Sequence, residues 1–167
     1  MFWRTCLRAV TCTLIGVTTV PAQRVDRISA ADMQEALLES TGSGSRGGVF
    51  RASRDNHAQY LLNRRTDASV IELHCAWDDL LVVRSGAGVV QHGSKLRGLE
   101  RYGANEWRAA ELVSPAETSL AAGDVVRIPA GEAHRIKPLG DAPLVYLVVK
   151  VRSFEERACG SLPRRGA

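Results

Sequence analysis

The sequence predicts an all-β, antiparallel fold preceded by one short helix. Three observations carry that reading. From Val49 onward, short runs rich in β-forming residues recur between turn signals. No long amphipathic helix interrupts them, which argues against a parallel sheet with alternating helices. A helical periodicity lies ahead of them, between Ser29 and Thr41. At 167 residues the chain is sized for one domain. Its 45% hydrophobic and 24% charged residues exclude intrinsic disorder as the default.

The elements follow in order. Residues 1–22 read as a secretory signal peptide: Arg4 and Arg8 open it, Ala9 to Val20 is apolar, and Val20-Pro21-Ala22 offers small residues before Gln23. Export to the periplasm or beyond is therefore expected, with cleavage near Ala22. No run of about 20 apolar residues follows, so no membrane span is expected once the signal is removed. Half of the formal charge of +4 leaves with Arg4 and Arg8. The remaining Arg and Lys are interspersed with acids and form no basic stripe, which argues against a nucleic-acid partner.

Residues 23–48 are expected to hold the helix and a Gly/Ser linker. Ser29 caps, Asp32 stands three residues on, and Ala30, Met33, Leu37 and Leu38 share a face. Gly42 to Gly48 is the linker. Strands are expected at 49–52, 58–64, 68–75, 79–84, 87–91, 110–113, 125–128, 133–137 and 143–151, making a barrel domain of residues 49–152. Residues 93–109 are polar, with Arg97, Arg101, Trp107 and Arg108, and read as an excursion over the barrel mouth. A helical turn at Phe154 to Ala158 and a loose end complete a tail of residues 153–167. Cys75 and Cys159 survive signal removal; they either pair with each other or leave Cys75 a buried thiol.

The most informative segment is Gly123-Asp-Val-Val-Arg-Ile-Pro129-Ala-Gly131-Glu-Ala-His134. It reads as turn, strand, tight turn, strand. Pro129 ends a ladder because it lacks an N–H, and Gly131 permits a positive φ. The returning strand then presents His134. Upstream stands Glu72-Leu-His74-Cys-Ala-Trp-Asp-Asp79, with Gly86 seven residues after Asp79. Residues two apart on a strand face the same way, so Glu72 and His74 point together, opposite to Leu73 and Cys75. An imidazole and a carboxylate on one face suit a divalent metal such as Mn, Fe, Ni or Zn.

The downstream segment is similar to the second cupin motif, Gly-x5-Pro-x-Gly-x2-His, without a gap. Pro138 stands where that motif has Asn. The upstream segment resembles the first motif, with His74 as its second His, Glu72 in place of the first, Asp79 in place of Glu, and Thr66 where a Gly is usual. The resemblance covers roughly residues 58–151 and implies an antiparallel jelly-roll (cupin) barrel with the site inside its mouth. The wording looks like that of small exported bacterial cupins of undefined activity.

The expected metal ligands are thus Glu72, His74, Asp79 and His134, and the expected partner is a small molecule. Other roles stay open for neighbouring residues. Asp78 would be the inward acid if the register slipped by one, and Glu72 could pair with Arg84 or Lys150. His57 could line the barrel, His92 sits at a hairpin turn facing solvent, Trp77 packs, and Tyr146 and Lys150 edge the cavity. Three function classes remain: a metal- or ligand-holding barrel, a metal-dependent oxygenase or sugar isomerase or epimerase, and a metal-free barrel that dimerises. The third draws on Ile71, Leu73 and Cys75, an outward apolar set that needs a cover from the helix or from a second subunit.

Overall fold

The computed structural model describes residues 27–40, 46–52, 57–153 and Cys159. The signal segment 1–22, linker residues 42–45, the turn at 154–158 and the end of the tail lie outside these residues. Helix α1 (Ala30–Ser40) opens the described chain. Its start is a reciprocal cap: Asp32 N–H donates to Ser29 Oγ at 3.1 Å, and Ser29 N–H donates to Asp32 Oδ2 at 3.0 Å.

Thirteen strands follow among the described residues: β1 (Arg46–Ala52), β2 (Ala58–Arg65), β3 (Ile71–His74), β4 (Trp77–Ser85), β5 (Ala87–Gly93), β6 (Leu96–Arg97), β7 (Glu100–Gly103), β8 (Glu106–Ala109), β9 (Glu111–Leu112), β10 (Ala116–Ala121), β11 (Val125–Ile128), β12 (Ala133–Leu139) and β13 (Leu144–Arg152). Arg46 to Gly48, expected as linker, already belong to β1. Ala116 to Ala121, given no strand by its sparse β-formers, is held as β10 along the whole of β5. Pro138 does not end β12, which continues to Leu139 against Ala87.

Two antiparallel sheets face each other. One runs β1-β2-β13-β4-β11 and the other β10-β5-β12-β3-β8-β7. Sequence neighbours are split between the sheets, as in a jelly roll. Between them lies a core of Leu81, Val83, Ile128, Leu144, Tyr146 and Val148 from the first sheet and Val90, Leu120 and Ile136 from the second. These are alternate positions on their strands, so strand parity alone selects them.

The same parity turns Ile71, Leu73, Cys75 and Ala133 to the outer side of the second sheet. There Leu96, Leu99, Trp107, Ala109 and Leu112 pack on them, with Cys159. Among the described residues, the cover is this chain's own 96–112 excursion. The excursion does not simply span the mouth. Its outward residues Trp107 and Ala109 seal the sheet, and β8 pairs with β3 as a further strand. Cys75 and Cys159 form a disulfide with Cα atoms 5.4 Å apart, which fastens the tail to the same cover.

Candidate metal centre

At one end of the apolar core the inward positions become polar. His74 and Glu72 sit two apart on β3, one residue of β12 faces them across the ladder (His134 opposite Glu72), and Asp79 enters from β4. The turn before β12 makes that alignment. Gly131 adopts φ +87° and donates its N–H to the His74 carbonyl at 2.8 Å, while Glu132 N–H donates to Pro129 O at 3.2 Å. The Pro-Ala-Gly turn is thereby clamped to β3 beside one imidazole and delivers the other.

Glu72, His74 and His134 each bring a ligand atom to within 4.8 Å of the other two. The imidazole centroids are 5.5 Å apart. Both rings have their outer nitrogen occupied: His74 Nδ1 pairs with the Glu106 carboxylate, and His134 Nδ1 donates to the Glu132 carbonyl at 3.1 Å. The Nε2 atoms therefore face inward. Nε2 of His74 is buried with no hydrogen-bond partner, an arrangement that costs free energy unless something occupies it. Burial holds the His134 pKa below the ordinary histidine value, against the opposing pull of the Asp79 carboxylate, and His74 and Lys150 push it lower still. A neutral ring with a tethered Nδ1 and a bare Nε2 is what a divalent metal requires.

Asp79 lies against both imidazoles, 3.6 Å from His74 Nε2 and 3.7 Å from His134 Nε2. Its oxygens also accept from Lys150 Nζ at 2.9 and 3.2 Å. Asp78 is not the inward acid. It accepts from Ala130 N–H at 2.9 Å and pairs with Arg127; burial raises its pKa, but these contacts and a hydrogen bond from Ser153 outweigh that and leave it lowered. Glu72 pairs with neither Arg84 nor Lys150; its neighbour is Arg108, at 3.8 Å.

His57 is exposed and does not line the barrel. His92 is not a solvated turn residue: it lies on β5 directly across from His134, half-buried, with Nδ1 3.1 Å from Glu132 and Nε2 3.2 Å from Thr118. It borders a cavity of about 390 Å³ with Val90, Thr118, Val126, Ile128 and Pro129. Tyr146 is buried within the core, its hydroxyl accepting from Arg65 Nε at 2.7 Å. Trp77 packs under Arg152. Glu106 had no signal beyond the alternation Glu106-Trp-Arg108, because only the β3–β8 register brings it opposite His74.

No family model matches this sequence, and no curated protein does. Solved structures do. An uncharacterized conserved protein with a double-stranded β-helix domain from Klebsiella pneumoniae is 18% identical, with a TM-score of 0.54 over 76% of this chain and 90% of that one. A hydroquinone 1,2-dioxygenase, solved with Cd2+ and 4-hydroxybenzonitrile, is 20% identical, with a TM-score of 0.53 over 85% and 93%. The BH2720 protein from Bacillus halodurans is 17% identical, with a TM-score of 0.52 over 76% and 81%. At these identities the likeness speaks for the fold. Joined to the strand order and to the turn that carries His134, it establishes that this chain has the cupin fold, the double-stranded β-helix barrel.

Proposed function

We propose that this chain is an exported cupin that holds a divalent metal (Mn, Fe, Ni or Zn) in the space bounded by Glu72, His74, Asp79 and His134, and presents it to a small molecule. The observation that carries the reading is the buried, unpartnered Nε2 of His74 beside a second inward Nε2 and a carboxylate. The cavity beside His92 has room for a small organic ligand, and apolar walls with a few polar groups suit one. The N-terminal signal pattern supports export, and so does the Cys75–Cys159 disulfide, which suits an oxidising compartment.

Protein purified without chelator is expected to carry about one metal equivalent by elemental analysis, as a single donor set implies. His74→Ala and His134→Ala should each strip it. Unchanged occupancy in both variants would place any metal elsewhere and end the reading. Export is tested by mass spectrometry of the periplasmic protein, where a mature N-terminus at Gln23 is expected.

A second reading, a metal-dependent oxygenase, is favoured by the donor set itself. Two imidazoles and one carboxylate with open positions suit Fe(II) and O2 chemistry. Oxygen uptake by the iron-loaded protein across a panel of phenols and small acids would separate it from a binder. The metal-free dimerising barrel has lost the observation that suggested it, since the outward Ile71–Leu73–Cys75 surface is covered within the chain.

A further inference from the structure

The four polar residues at the centre are not equivalent. Both oxygens of Asp79 are taken by one buried ammonium, at 2.9 and 3.2 Å. Lys150 cannot drift away from it: the two residues are direct partners in the β4–β13 ladder, on inward positions of both strands. Their side chains are only 12% and 7% exposed, so a separated charge would be left in a poorly solvated place. Glu72 is held far more loosely. Its cation, Arg108, lies beyond hydrogen-bond distance at 3.8 Å, is 42% exposed, and is stacked on Tyr102. The two carboxylates therefore differ in what a metal must displace. Glu72 is available, and Asp79 is already neutralised.

Resting on the metal-centre reading above, we propose that Lys150 withholds Asp79 from coordination, so that the metal is held by three protein ligands only: Glu72, His74 and His134. Asp79 then acts as a buried anion that anchors Lys150 beside the centre. That arrangement spends the carboxylate's charge on the ammonium instead of on the metal, which weakens metal binding, and it leaves one more coordination position for water or ligand than a four-ligand set would. Lys150 becomes the determinant of how tightly the centre holds its ion.

The test is a titration of the metal-free full-length protein with Mn(II), read from the electron paramagnetic resonance signal of the free ion. Wild type, Asp79→Asn, Lys150→Met and the double variant are compared, with circular dichroism to confirm folding. Asp79→Asn alone should bind more weakly, because it strands the Lys150 ammonium beside the ion. Lys150→Met should bind at least about tenfold tighter, because it removes a buried like charge and frees a carboxylate. The double variant, which leaves no unpaired charge, should lose that gain and keep one site with a dissociation constant within about threefold of wild type, since no metal–ligand bond is lost. Loss of the site in the double variant, or a Lys150→Met variant no tighter than wild type, overturns the inference while leaving the metal centre standing. A wild type that takes up no Mn(II), Fe(II), Ni(II) or Zn(II) overturns both.

Discussion

Glu106 holds Nδ1 of His74, and the Glu132 carbonyl holds Nδ1 of His134, so each ring offers its other nitrogen to the interior. The two tethers differ in kind. A main-chain carbonyl persists through any substitution at Glu132, whereas the Glu106 carboxylate is a side chain on a different strand. Glu106→Ala is therefore expected to weaken metal binding about 10- to 100-fold without unfolding the barrel. A chelator-competition titration alongside a thermal melt would check both halves of that statement. Tyr146 supplies a second prediction. Burial raises its pKa above the ordinary 10.0, and Glu72 and Asp79 add to the rise while Arg65 opposes it. In the unfolded chain the phenol ionises near its ordinary value, while the folded protein retains the proton. Stability is thus fully present below about pH 10 and falls as pH rises through the folded pKa. Tyr146→Phe should show a flatter alkaline limb when urea midpoints are compared between pH 9 and 11.

At the scale of elements, turns place the strands that carry the site. Gly86 joins β4 to β5 with φ +80°, a conformation that L side chains rarely adopt. A Cβ there would also lie 2.9 Å from Leu144 Cα. Gly86→Ala is expected to cost about 2 kcal/mol or more, measured as a lowered urea midpoint, because strain and overpacking act together. Such turns are legible in a sequence, since Gly admits backbone conformations that other residues avoid and Pro fixes φ where it stands. The strands at Val125–Ile128 and Leu144–Arg152 are legible for a similar local reason, short runs of β-branched and apolar residues between turn signals. β10 is not: its residues have little β-preference of their own, and it exists because β5 offers an unpaired edge. His92 reads as a turn residue for the same cause. A Gly beside it resembles a turn, but the β5–β12 register carries the strand one residue past it.

For the whole molecule, the outer cover decides how the metal-bearing strand is supported. β3 is only four residues long, and its outward side rests on the 96–112 excursion. The disulfide closes a loop of 84 residues between β3 and the tail. Closing so long a loop restricts the unfolded chain strongly, so Cys159→Ser should destabilise the protein by about 2–5 kcal/mol. Adding reductant to wild type should bring its urea midpoint to that of the variant. Partial loss of metal from the reduced protein would show that β3 is held in place from outside.

Local patterning was enough to declare a run of antiparallel strands and to set Glu72 and His74 on one face, because alternation along a strand, the fixed φ of Pro and the latitude of Gly are properties of neighbouring residues. Asp79 and His134 joined them through the resemblance to the cupin motifs. The partners of those side chains were decided only by the folded chain. Lys150 on Asp79, Glu106 on His74, Cys159 on Cys75 and the excursion over Ile71 and Leu73 all join residues far apart in sequence. Each depends on register between strands and on how far a side chain reaches, which no local pattern encodes.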